Sequence, residues 1–201
     1  MPARIERVIT SGIFTLDGGS WDVENNVWLI GDDEEVLVVD AARNPESIIK
    51  AVGDRRLAAL ICTHGHNDHI NAVGGIRDYL DTQVWLNSAD TMLWEALYDD
   101  RPDHDLVDGT TFEVAGTTVR AIHTPGHSPG STSLYAEDLN AVFTGDTLFH
   151  GGPGATGRSY SDKPTILDSI RTKLLTLPGD TTVHTGHGDT TTIGAEANNI
   201  E

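Results

Sequence analysis

The chain is poor in cysteine, in basic residues and in long apolar runs. Of its 201 residues only Cys62 is a cysteine. A lone cysteine excludes an intrachain disulfide and any cysteine-rich zinc module, and it suits a reducing compartment. Any metal must therefore be held by histidine and carboxylate. Lys and Arg together number 13 against 31 Asp and Glu, giving a formal net charge of -18. A surface of that sign disfavours nucleic acid and anionic membrane, which both need the opposite field. No long apolar stretch follows Met1-Pro2-Ala3-Arg4-Ile5-Glu6-Arg7. Neither a secretory signal nor a transmembrane helix is read there, and the cytoplasm is the expected location. A hydrophobic content of 38% over this length is enough for a full core, so one domain over residues 1–201 is expected.

What is present is an alternation of short strands and helices. Val27-Trp28-Leu29-Ile30 and Val36-Leu37-Val38-Val39 flank the turn-like Gly31-Asp32-Asp33 and read as a hairpin. Pro45 to Val52 reads as a helix, Leu57 to Cys62 as a buried strand, and a helix is expected from near Asn67 to Leu80. The strand Gln83 to Leu86 follows, then a helix capped by Ser88 and reaching Tyr98. Strands are expected again at Thr111–Val114, Thr117–Ile122, Ser131–Tyr135 and Ala141–Thr144, then a helix from Pro164 to Leu175 and a last strand Thr181–His184. Two similar sets of elements predict an α/β fold with two sheets face to face and helices outside.

The chemistry is concentrated in Thr63-His64-Gly65-His66-Asn67-Asp68-His69, just beyond an apolar strand, where α/β sheets present their ligands. Residues two apart in an extended segment share a side, so His64 and His66 can converge on one ion. Asp68 and His69 lie further on and fit a second ion beside it. His127 in a Pro/Gly-rich turn, Asp146 in Thr144-Gly145-Asp146-Thr147 and His187 in Gly186-His187-Gly188-Asp189 share the same strand-then-turn setting. A carboxylate such as Asp146 has two oxygens and can bridge two ions. A catalytic metal keeps a position open for water, so such a site needs ligands from several segments.

These four segments, in this order, resemble the successive metal-binding motifs of the metallo-β-lactamase superfamily. The resemblance implies a four-layer αββα sandwich. By matching position it places His64, His66 and His127 on a first metal and Asp68, His69 and His187 on a second, with Asp146 bridging. It also makes Asp40, in Val38-Val39-Asp40, a group that orients the ligands. The segments around Asp146 and His187 look most like glyoxalase II and related thioesterases. That resemblance implies two zinc ions, with iron or manganese as other metals such a site accepts, and a small-molecule thioester substrate. Asp68 and Asp146 would then act in catalysis, Asp68 also by orienting water. The chain ends soon after His187 without the glutathione-binding extension of glyoxalase II, and it is unusually acidic, which weighs against glutathione as carrier. Gly151 to Tyr160 resembles short actinobacterial hydrolases that act with mycothiol.

Other readings compete. A persulfide dioxygenase on the same scaffold needs one iron and only His64, His127 and Asp146. A non-catalytic metal-binding protein would lack part of the ligand set. A β-lactamase is less expected, since Asp146 stands where many such enzymes carry cysteine. The pattern Gly152-x-Gly154-x-x-Gly157 does not open a helix after a strand and is not read as a nucleotide site; a lip over the cleft or a plain loop is expected. Cys62 reads as a buried hydrophobe. His104, His123 and His184 are expected at the surface or in hydrogen bonds, and His150 has no assigned role. Trp21, Trp28, Trp85 and Trp94 are expected in the core or cleft wall.

Overall fold

The computed structural model of the protein describes residues 2–16 and 19–200. It opens with two long strands, β1 (Arg4–Leu16) and β2 (Gly19–Gly31), paired antiparallel throughout. β2 pairs on its other side with β3 (Glu35–Val39), but only through Trp28–Gly31, so the outer part of the first hairpin runs on past the sheet. The expected hairpin around Asp32 is therefore present as β2 and β3. Asp32 closes its turn by accepting the backbone N–H of Glu34 and of Glu35 at 2.8 and 3.1 Å.

α1 (Pro45–Val52) is started by Asn44, whose side chain accepts from Ser47 N at 2.9 Å, and by Pro45 in the first turn. β4 (Arg56–Ile61) runs parallel to β3. The long helix expected over 67–80 is two short ones, α2 (Asn67–Ile70) and α3 (Val73–Arg77). The loop after β3 takes the hydrogen bonds that a continuous helix would use. Ala41 N donates to His69 O, and Ala72 N donates to Ala41 O, both at 2.9 Å.

β5 (Val84–Leu86) and β6 (His104–Asp105) complete a first sheet in the order β1-β2-β3-β4-β5-β6. The helix expected from Ser88 to Tyr98 is a 3-10 turn, Ser88–Asp90, followed by α4 (Thr91–Trp94). Asn87 provides the cap, accepting from Ala89 N at 3.0 Å, while the Ser88 hydroxyl donates to Asp105. Trp94 is fully buried and its indole donates to Asp100 O at 2.7 Å, so the chain folds back before the helix can extend.

The second half supplies β7 (Thr111–Val114), β8 (Thr117–His123), β9 (Thr132–Ala136), β10 (Ala141–Gly145), the small pair β11 (Leu148–Phe149) and β12 (Gly152–Pro153), and α5 (Lys163–Ser169), which continues as a π-helical turn over Ile170–Leu174. β13 (Thr182–Thr185), β14 (Thr191–Thr192) and α6 (Ile193–Glu196) follow. The second sheet is ordered β14-β13-β10-β9-β8-β7.

Three apolar cores separate four layers. One lies between the first sheet and its helices and includes Leu29, Val36, Val38, Ile48, Leu60 and Ile76. The middle core lies between the sheets and takes the alternate residues Ile30, Leu37, Val39 and Ile61, facing Val119, Leu134 and Phe143. The third joins Val142 and Val183 of the second sheet to Ile166 and Ile170. Strands β3, β4 and β10 are buried on both faces, which is why they read as unbroken apolar runs. Among the described residues no helix is long and apolar enough to cross a membrane.

Candidate metal centre

Each site residue follows the end of a strand. Asp40 follows β3, His64 and His66 follow β4, His127 follows β8, Asp146 follows β10 and His187 follows β13. The parallel pairs β3–β4 and β10–β13 bring these ends to one edge of the two sheets. His66 sits at the N-cap of α2, which carries Asp68 and His69.

The structure brings all seven expected ligands together. Their inward atoms form three groups whose members lie within 4.8 Å of one another: His64, His66 and His127; His64, His69 and Asp146; and Asp68, His69 and His187. His66 Nδ1 is 2.9 Å from His127 Nε2, and His69 Nε2 is 3.2 Å from His187 Nε2. Asp146 lies between the sets, with Oδ1 at 3.3 Å from His69 Nε2 and Oδ2 at 3.6 and 3.4 Å from the Nε2 atoms of His127 and His187. Asp68 Oδ2 is 3.4 Å from His187 Nε2 and 3.7 Å from His69 Nε2.

The outward nitrogens of four of the five histidines are engaged. His69 Nδ1 meets Asp40 Oδ2 at 2.8 Å, His127 Nδ1 meets Ala155 O at 2.9 Å, His187 Nδ1 meets Glu24 O at 2.7 Å, and His64 Nδ1 meets Thr63 Oγ1 at 3.0 Å. An imidazole held by one nitrogen presents the other in a fixed direction, as a metal ligand must. The inward atoms fit a cation. Among the described residues, His64 Nε2 and Asp146 Oδ1 find no hydrogen-bond partner although buried, a costly state for polar atoms unless something else binds them. Gly186 allows the approach: a Cβ there would lie 2.2 Å from Asp146 Oδ1 and 2.8 Å from His69 Cε1.

Without metal, protons distribute unequally. Burial and the neighbouring histidines hold His64 well below its usual range, and burial with His127 takes His66 down to about 4. Burial would also lower His69 and His187, but the adjacent carboxylates outweigh it. Asp146, Asp68 and Asp40 raise His69, and hydrogen bonds to Asp146 and Asp68 lift His187 to about 9. Burial would raise both carboxylates, yet chiefly His69, and then His187, hold Asp68 and Asp146 well below the usual range. His64 and His66 therefore favour the neutral, ligating form, whereas His69 and His187 carry protons that a metal must displace.

Asp40 accepts from Thr63 N and Thr63 Oγ1 as well as meeting His69, and its φ of 61° is in the left-handed region. No helix opens at Gly157; that loop backs the centre through Ala155. Cys62 is buried and burial pushes its thiol up. His104 and His123 make hydrogen bonds, to Gln83 and to Pro129 O. His184 departs from the surface or hydrogen-bonding role expected of it. It packs between Phe143 and Trp28, and its buried Nδ1 has no hydrogen-bond partner. Trp28 and Trp94 are in the cores and Trp85 is half-buried; the side chain of Trp21 lies outside the described residues. Asn25, Arg43 and Asp90, which also surround the centre, carry no sequence signal, because each touches it only through residues distant along the chain.

The model of the metallo-beta-lactamase superfamily matches residues 21–187, and the chain belongs to that family. Its architecture is the metallo-β-lactamase fold, among metal-dependent hydrolases. It is 34% identical over 190 residues to the hydroxyacylglutathione hydrolase GloC of Haemophilus influenzae, covering 86% of this chain and 90% of that one. It is similar to the B3 metallo-beta-lactamase BLEG-1, with a TM-score of 0.79 and 29% identity over 95% and 97% of the two chains. It is also similar to a protein solved in a di-iron-bound form, with a TM-score of 0.78 and 31% identity over 87% and 93%.

Proposed function

We propose that this chain is a dinuclear zinc thioesterase of the glyoxalase II kind, cleaving small S-acyl thiol conjugates in the cytoplasm. The observation that carries the reading is Asp146, a carboxylate with one oxygen toward His69 and the other toward His127 and His187, set between two complete triads. Its likeness to a hydroxyacylglutathione hydrolase supports thioesters as the substrate class.

His64, His66 and His127 would hold one ion and Asp68, His69 and His187 the other, with Asp146 between them. When bound, such ions supply Lewis acidity toward a carbonyl oxygen and bring the pKa of water from 15.7 to about 7. The chain's own part is to hold these donors rigid. Asp40 fixes His69 from behind, Ala155 O and Glu24 O fix His127 and His187, and the Asp68 carboxylate would also orient water. The leaving thiolate has an ordinary pKa of about 8.5, so no side chain need protonate it.

The persulfide dioxygenase reading requires only His64, His127 and Asp146. It leaves the Asp68, His69 and His187 triad unexplained, and the same completeness weighs against a non-catalytic protein. The test is metal content after purification without chelator, together with hydrolysis of S-lactoylglutathione and a mycothiol ester. Near two zinc ions per chain with thioester turnover is the expected result. One iron, no hydrolysis and oxygen uptake with a glutathione persulfide would overturn it.

A further inference from the structure

The two triads are braced by different parts of the chain. Asp90, at the N-cap of α4, is fully buried and accepts from Gly65 N at 2.8 Å, Ser128 Oγ at 2.6 Å and Gly130 N at 2.6 Å. It thereby joins the segment of His64 and His66 to the turn of His127. The second triad leans instead on the first hairpin. Asn25 of β2 donates from Nδ2 to the backbone O of Asp68 at 3.0 Å and to its Oδ2 at 3.2 Å. Its own Oδ1 accepts from Arg43 Nε at 3.0 Å.

Arg43 is held in an unusual way. Its φ is 66°, its backbone N–H donates to Asn71 Oδ1 at 2.6 Å, and its Nη1 donates to Ile13 O at 3.1 Å. Gly12 makes room for it, since a Cβ there would lie 2.7 Å from Arg43 Cδ. The side chain is 9% exposed, and Nη2 has no hydrogen-bond partner among the described residues and lies 3.9 Å from Asp68 Oδ2. Among the described residues, the charged neighbour of this buried guanidinium is Asp68. The guanidinium stands beside the Asp68 carboxylate and, through Asn25, holds it turned toward His187. The contacts of Asp90 and those of Asn25 and Arg43 share no residue.

We propose that Asn25 and Arg43 are positioning residues that set the metal affinity of the second triad through Asp68, while Asp90 does so independently for the first. The inference rests on the two-ion reading. Each ion then has its own structural control, and the occupancy of one can be changed without the other.

The test is calorimetric titration of the metal-free protein with zinc, in which the wild type shows two steps. His187→Ala identifies the step that belongs to the second triad. Asn25→Ala and Arg43→Met are expected to weaken that step about 10- to 100-fold, the usual effect of removing a ligand's outer partner, and to leave the other step in place. Asp90→Asn is expected to do the reverse. In a His187→Ala background, Asn25→Ala should add nothing. Arg43→Lys, which keeps the charge and loses the fork, provides the same readout at smaller amplitude if Arg43→Met does not fold. Unmoved steps overturn the inference, and so do both steps shifting equally alongside a lower melting temperature of the metal-free protein. A wild type that never takes a second ion overturns the two-ion reading as well, whereas two wild-type ions with an unmoved second step overturn this inference alone.

Discussion

Asp40 and His69 face each other at 2.8 Å with both side chains almost completely buried, and the same carboxylate accepts the backbone N–H and the hydroxyl of Thr63. One acid thus ties the end of β3, the end of β4 and a metal-facing imidazole into a single unit. Asp40→Ala strands three buried donors. Zinc affinity is expected to fall about 10- to 100-fold, and denaturant unfolding of the metal-free protein should show a loss of about 1–3 kcal/mol.

Asp146→Asn keeps the shape of the side chain and removes its charge. If the carboxylate is shared between two ions, metal content should drop toward one per chain, and thioester turnover should fall by more than the ~10- to 100-fold that follows loss of an outer partner. Elemental analysis beside steady-state kinetics provides the check, and full turnover with both metals retained would remove Asp146 from its bridging role.

The opposite shifts of His66 and His187 set a pH signature for the metal-free protein. His187, raised to about 9 from 6.5, contributes stability that is fully present below pH 6.5 and lost as pH rises through about 9. His66, lowered to about 4, acts oppositely, because the unfolded chain takes up a proton below 6.5 that the folded one refuses until about 4. The denaturant midpoint of chelated protein should peak near the ordinary histidine pKa and decline on both sides. With zinc present the alkaline decline should disappear, because the metal has already replaced the proton.

Gly186→Ala tests the close approach to Asp146. The added methyl would meet a carboxylate oxygen and a histidine ring, while the three cores lie elsewhere. Circular dichroism should show a folded protein with a loss of about 1–3 kcal/mol, and metal uptake should be largely lost.

Cys62→Ser separates a packing thiol from a nucleophile. The side chain is fully buried in the core under the first sheet. Turnover per bound metal should be unchanged, and stability should fall by about 1–3 kcal/mol as a hydroxyl replaces the thiol in an apolar site. Thiol reagents should leave the native enzyme active.

What could be read in advance followed the reach of the interactions. β3, β4 and β10 announce themselves because both faces are apolar, and His64 to His69 because one short segment carries four metal-binding side chains. The break between α2 and α3 could not be read, since it depends on Ala41, which is distant in sequence. β1 was equally hidden: its residues Ile5 and Val8 are only partly buried and are separated by Glu6 and Arg7, so neither an apolar run nor a strict alternation marks it. The seven ligands were legible as types in a pattern, while Asn25, Arg43 and Asp90 acquire their meaning only from neighbours that folding supplies.

The contact between His187 and the backbone of Glu24 joins positions 163 residues apart. A chain emerging from the ribosome presents His64, His66, Asp68 and His69 early, yet the group of Asp68, His69 and His187 cannot close until residue 187 has been synthesised. Contacts of such separation are among the last to form and slow folding. Closure of that group, with any metal binding that depends on it, is therefore a late event in the folding of this polypeptide.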